Sequence, residues 1–402
     1  MSREPDNVPV PHAVRGHTGL IVLLGSLTAI APMSIDMYLP AFPALQETFG
    51  TDVAAIQRTL SVFFIGLAVG QLFYGPLADR FGRRRPLLVG LALYTVASVG
   101  CALAGSVGQL LLWRGLQALG GCAGVVMARA VVRDVFGPKK QARVLSSLML
   151  VMGVAPILAP IVGGWVLTVA GWRTIFWILV VFGATTWVAV ARGLPETAVD
   201  RRASTLTIGG VAAAFGRVIG NARFRRFAGA GALAQCVLFA YISGAPFLFM
   251  EVLGLSPAGF SAMFAINSTG LILASQINRA LLAREETSAV LNRALTVQGL
   301  AALVFLAVVV FAAPSLVVLA APVLLLVLLL GFVLPNTTAL ALAPFDRDAG
   351  TASAVLGSMQ YGTSGLTTLA VSACFDGTLR PMAVSIALFV VGAWLLSRTG
   401  RE

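Results

Sequence analysis

The chain is a succession of apolar stretches, most of them longer than 20 residues, joined by short polar connections. A helix needs about 20 mostly apolar residues to cross a bilayer. By hydropathy the stretches fall at about 18–43, 52–76, 86–106, 108–131, 142–169 and 172–193, then 226–251, 257–279, 289–312, 315–343, 351–373 and 380–397. Composition agrees: 58% of the 402 residues are hydrophobic, 11% are charged and the mean hydropathy is +0.91. A soluble domain carries about 25% charged residues, so this chain has too little polar surface to cover itself in water. A cytosolic enzyme, a secreted domain and a disordered protein are excluded. The expected fold is an all-α integral membrane protein with twelve transmembrane helices in two six-helix bundles.

A net charge of +12 would suit nucleic acid as a partner, but its placement does not. The basic residues cluster between the apolar runs, as in proteins whose positive loops stay inside. With the N-terminus in the cytoplasm, the inside connections receive Arg80, Arg83 to Arg85, Arg133 to Arg143, a basic stretch from Leu194 to Arg225, Arg279 to Arg293, and Arg347. The outside ones receive only Arg58, Arg173 and Arg380. Both termini are then cytoplasmic. The expected organisation is a tail over 1–17, a bundle over 18–193, a central loop over 194–225, a second bundle over 226–397 and a tail over 398–402. No cleavage-type pattern precedes the first span, which is expected to remain as an anchor. The four cysteines are far apart in apolar segments and read as small core residues, not as a metal site or disulfide framework.

Faint internal matches relate the two bundles: Tyr38 to Pro43 with Tyr241 to Pro246, Val144 to Ser147 with Val355 to Ser358, and Leu77 to Arg80 with Gln276 to Arg279. Such repeats place a substrate cavity near the bilayer midplane between the halves.

Four features carry chemistry. Between spans two and three runs Gly75-Pro76-Leu77-Ala78-Asp79-Arg80-Phe81-Gly82-Arg83-Arg84-Arg85. Its glycines permit a tight turn, and one acid faces a cluster of guanidinium groups, a lattice able to latch helix ends in one state and free them in another. Arg114 lies deep in span four, where a charge costs several kcal/mol unless it meets a partner or a wet cavity. Gln117, at i+3, shares its helix face. Asp36 is the only acid inside span one, and burial favours its protonated form while a nearby arginine opposes that. By the tyrosine alignment its counterpart is Phe239, which leaves proton handling to the first half. Span five carries Pro156 and Pro160, which favour kinks, and Gly163-Gly164, which admits a close neighbour.

These motifs resemble the major facilitator superfamily. The loop matches G-x-L-A-D-R-x-G-R-[RK] at every defining position, Arg114 to Ala118 resembles the R-G-x-Q-[GA] pattern linked with proton transfer, and Gly153 to Gly164 resembles the antiporter motif G-x-x-x-G-P-x-x-G-G, with Ala155 and Ala159 in place of two glycines. Ser34 to Pro43, Asn336, Ala341 to Phe345 and Ala349 to Ser353 resemble the bicyclomycin and chloramphenicol resistance branch of drug–proton antiporters. The resemblance implies a bacterial inner-membrane protein, not an enzyme, exporting small amphipathic compounds in exchange for protons. It implies Asp36 and Arg114, with Gln117, as the proton-coupling group. It also implies a latch of Gly75, Asp79, Arg80, Gly82 and Arg83 with Asp134.

Met33, Tyr38, Met149, Met152, Gln235, Tyr241, Asn267, Asn336, Gln360 and Tyr361 are polar, aromatic or methionine positions inside spans and are the expected cavity lining. No phosphate loop, nucleophile triad or metal cluster appears in the sequence, so no cofactor or metal is expected. The expected partners are a small-molecule substrate, protons and lipid, with the chain acting as a monomer. Two other readings stay open: export of a cell metabolite such as an amino acid by the same machinery, and a receptor or enzyme that keeps only the fold.

Overall fold

A computed structural model of the chain describes residues 17–197, 208–311, 315–345 and 349–399. Most of both tails, part of the central loop and Arg347 lie outside them. The helices are α1 (His17–Asp36), α2 (Phe42–Phe49), α3 (Val53–Phe81), α4 (Arg84–Ala102), α5 (Val107–Val135), α6 (Pro138–Ala170) and α7 (Trp172–Gly193). After them come α8 (Ile208–Gly220), α9 (Ala222–Pro246), α10 (Pro257–Leu281), α11 (Thr287–Phe311), α12 (Leu316–Leu342), α13 (Ala349–Ala373) and α14 (Arg380–Arg398). Several begin on side-chain caps: Asp52, Ser106, Asn221 and Ser256 each accept a backbone N–H three residues on.

Three departures from the sequence reading matter. The first span is broken: α1 stops at Asp36, a 3-10 turn covers Leu39–Ala41, and α2 follows. Pro40 and Pro43 stand at the new starts, where a missing N–H costs nothing. The basic stretch before the second bundle is not all loop, since it contains α8 and the first turn of α9. Cys374 is exposed just past α13, whereas Cys101, Cys122 and Cys236 are buried.

Among the described residues, eleven helical stretches are long and apolar enough to cross a membrane, and α13 is not one of them. It carries Gln360, Thr363, Ser364, Thr367, Thr368 and Ser372. Most of these hydroxyls bond backbone carbonyls of their own helix. The rest of the cost is met by packing on α3: Gly365 lies against Ile65 and Ser61, Gly357 against Gln71, and the Ser372 hydroxyl donates to Ala54 O at 2.6 Å. A polar helix is tolerated because another helix covers it.

The halves meet along α3–α13 and along α6–α10. At the end opposite the arginine-rich loop they are bonded directly. Ser261 Oγ donates to Pro160 O at 2.8 Å, Gln57 Nε2 to Ser243 O at 3.2 Å, and Gln46 Nε2 to Glu251 Oε1 at 2.9 Å. The duplication also shows in packing. Trp187 on α7 donates its indole N–H to Leu88 O on α4, and Trp394 on α14 donates to Thr296 Oγ1 on α11, both at 3.1 Å.

The span-five motif sits at this closed end. A Cβ on Gly163 would fall on the Met37 carbonyl, and one on Gly164 would lie 2.8 Å from Ser261 Oγ. Gly163 is thus what lets α6 touch the chain where α1 ends. Gly163→Val is expected to lower stability by about 1–3 kcal/mol through overpacking, read as a lower melting temperature in detergent. Gly299→Ala, in α11 with nothing within 4 Å of the added carbon, is expected to leave it unchanged or slightly raised.

Candidate functional site

Arg114 is fully buried, and among the described residues no carboxylate pairs with it. Its Nη1 donates to Ser34 O at 3.0 Å and to Gln117 Oε1 at 2.7 Å. The Gln117 amide donates to Ser98 Oγ at 2.8 Å, the Ser98 hydroxyl to Tyr94 O, and the Tyr94 and Ser34 hydroxyls share a bond of 2.8 Å. This polar ring ties α5 to α4 and to the last turn of α1. The carbonyl that receives the guanidinium lies at a helix C-terminus, the negative end of its dipole. The other face of the guanidinium is aromatic: its carbon lies 4.2 Å from the Phe63 ring centre, 4.8 Å from Tyr38 and 6.0 Å from Phe176. Desolvated ring faces attract a cation, and Nε and Nη2 have no other partner.

Asp36, 4% exposed, closes α1 two residues beyond Ser34. It forms no ion pair with Arg114. Instead it lies within electrostatic reach of Tyr241 on α9. Tyr241 Oη and Asn267 Oδ1 are buried beside each other there. The structure therefore brings Asp36 together with residues of the opposite half, and keeps Arg114 inside its own.

Of the expected cavity residues, two belong elsewhere. Tyr38 is fully buried, its hydroxyl bonded to Thr59 at 2.9 Å and its ring in the arginine cage. Asn336 is 1% exposed and exchanges two amide hydrogen bonds with Asn278, at 2.9 and 3.3 Å, which fasten α12 to α10. Met33, Met152, Gln235, Gln360 and Tyr361 are half-buried. Met149 is 59% exposed, one turn before Gly153, which faces Ile272 of α10.

At the other end, Arg83 donates from Nε to Asp134 Oδ2 at 2.8 Å and from Nη1 to Asp79 Oδ1 at 2.7 Å. Burial works against its charge, but the two carboxylates outweigh that and hold its pKa above the usual arginine value. Arg80 is exposed over the Phe81 ring and takes no part. α3 ends at Phe81 and the chain turns at Gly82, which brings Arg83 back beside Asp79. Sequence reasoning missed Glu196, from the far end of α7. Its carboxylate accepts the backbone N–H of Arg83 at 2.7 Å and of Arg84 at 3.4 Å, capping α4, and Thr197 Oγ reaches Asp134 Oδ2 at 3.3 Å. Gly82, at φ +85°, lies under that carboxylate, where any Cβ would collide with it.

The sequence profile of the Major Facilitator Superfamily matches residues 24–368. The chain belongs to that superfamily. The chain is 31% identical to the chloramphenicol resistance protein of Pseudomonas aeruginosa, over 94% of this chain and 90% of that one. It is 34% identical to the uncharacterized MFS-type transporter YdgK of Bacillus subtilis, over 85% of each. The bicyclomycin resistance protein homolog of Haemophilus influenzae is 28% identical, over 93% and 92%. These relatives agree with the branch that the motifs resemble. Among solved structures, a bacterial homolog of the human lysosomal transporter Spinster, inward-facing and unoccupied, matches with a TM-score of 0.73 at 18% identity over 97% of this chain and 98% of that one. The D-xylose–proton symporter gives 0.73 at 14%, over 94% and 98%. At those identities the likeness establishes the fold alone. The protein is a multi-pass membrane transporter.

The Glu196 cap generates a test. Charge-assisted bonds contribute about 1.5–3 kcal/mol each, so Glu196→Gln is expected to slow transport about tenfold or more at matched membrane abundance. Arg80→Gln is expected to change it less than about twofold, because a solvated guanidinium contributes little. Equal effects would remove Glu196 from the latch.

Proposed function

We propose that this chain exports small, mostly apolar compounds, chloramphenicol- and bicyclomycin-like antibiotics among them, from the cytoplasm of a bacterium in exchange for protons. The observation that carries the reading is the arrangement at the end of α1: a buried acid, Asp36, faces the opposite half, while the buried Arg114 behind it bonds Ser34 O and Gln117 and no carboxylate among the described residues. An acid with no counter-ion in an apolar setting favours its neutral form and takes up a proton whenever water reaches it. Substrate entering between Asp36 and Tyr241 competes for the same place. The charge returns when the proton leaves toward the cytoplasm, and Arg114, bonded from α5 to the Ser34 carbonyl two residues before Asp36, steadies it over that distance. Asp79, Arg83, Asp134 and Glu196 latch the cytoplasmic helix ends in one state and release them in the other.

The orientation that supports this reading puts the arginine-rich loop and both termini in the cytoplasm, on the side where basic residues accumulate. No cofactor is needed. One charge crossing 100 mV is worth about 2.3 kcal/mol, and each 1.4 kcal/mol sustains a tenfold gradient. One proton per neutral compound therefore supports a gradient of roughly fiftyfold. A single proton-coupled monomer suffices.

Chloramphenicol uptake into everted vesicles, driven by an imposed proton gradient, tests the proposal. Wild type is expected to accumulate it uphill. Asp36→Asn keeps the shape but cannot titrate, so it is expected to lose accumulation while retaining downhill exchange. Uphill pumping by Asp36→Asn at matched abundance would overturn the assignment.

A further inference from the structure

A cavity of about 360 Å³ lies between the halves at the arginine-loop end, walled by α3, α5, α8 and α13. Four charged side chains among the described residues line it: Asp79, Arg83, Arg129 and Arg133. Asp79 and Arg83 are bonded to each other. Arg129 and Arg133, both exposed, form no ion pair and no hydrogen bond among the described residues, so two guanidiniums set the sign of the space. They stand one turn apart on α5, where like charges repel. Arg133 reaches across to the α13 side, its Nη1 3.4 Å from where a Cβ on Gly350 would lie. Arg129 is within electrostatic reach of Tyr361, a residue of the opposite half.

A third residue makes this a built site. Gln71 on α3 lines the same cavity, is only 5% exposed, and makes no hydrogen bond. Its amide faces the cavity, where it can pair with a ligand's oxygen. The donor set is two guanidiniums and a primary amide, with no free acid beside them. Guanidinium groups pair with oxyanions by parallel N–H bonds, and an anion set between two like charges relieves their repulsion.

We infer that this cavity seats the carboxylate of exported compounds that carry one, which makes Arg129 and Arg133 specificity-determining residues and adds apolar acids to the neutral compounds exported. The inference rests on the exporter reading and extends it. An ammonium-bearing compound meets two positive charges at the entrance and is turned away.

Equilibrium binding to the purified protein in detergent tests this with three probes of one shape: naphthalene-2-carboxylate, its primary amide and the naphthylmethylammonium ion. The carboxylate is expected to bind about tenfold tighter than the ammonium ion, as paired guanidiniums would give. Arg129→Gln and Arg133→Gln are each expected to cut that preference to about threefold or less, and Arg129→Lys to retain most of it because the charge remains. Equal binding of carboxylate and ammonium ion, or a preference unmoved by both glutamine variants, overturns the inference. Proton-driven uptake in everted vesicles reads the exporter separately. Pumping of chloramphenicol without a carboxylate preference removes the anion site and keeps the exporter; a preference without any pumping removes the exporter and keeps the anion site.

Discussion

A fully buried guanidinium with no counter-ion is the constraint around which the first half is built. Placing such a charge in a membrane interior is tolerable only when every side of it is supplied. Here one edge takes a helix-terminal carbonyl and a glutamine oxygen, and the faces take Phe63, Tyr38 and Phe176. The carbonyl is available because α1 stops at Asp36 rather than running on. The stop is held by α6, whose Gly163 packs on Met37. One electrostatic need thus fixes a helix end, a glycine and an aromatic cluster together, and places Asp36 at the seam between the halves.

The second half solves a different problem. Asn278, aligned in sequence with Asp79, bonds Asn336 across to α12 in a neutral, reciprocal pair. The first half puts charge in the corresponding region, with Arg83 between Asp79 and Asp134 and with Glu196 capping α4. Neutral amide pairs hold helices together with little dependence on water access. Ion pairs at a helix end are sensitive to it, because their strength changes as the local dielectric does. The moving contacts are accordingly expected on the charged side.

Much of this was legible in the sequence, and the misses have physical reasons. The spans read clearly because lipid exposure demands long apolar runs, and α13 was found despite its polar residues because its length and flanking breaks remain. Arg114 with Gln117 was legible because i+3 spacing on a helix fixes proximity. Tyr38 and Asn336 were misplaced because a tyrosine or asparagine within a span reveals that it needs a partner, not which one. The break after Asp36 was signalled by Pro40 and Pro43 but read as a span edge. Glu196 was invisible because its partners lie more than a hundred residues earlier, and only the fold brings α7 against the start of α4. Arg129 and Gln71 were hidden likewise, as lining that four separate helices assemble.

The central claim is that Asp36 carries a proton in the state that awaits substrate and gives it up when substrate binds. It is tested most directly by adding a transported compound to purified protein in weakly buffered detergent and counting the protons released. The account predicts about one proton per bound molecule in wild type, as expected when a ligand excludes the protonated acid from a shared site, and none for Asp36→Asn. Release of the same number by Asp36→Asn would contradict it.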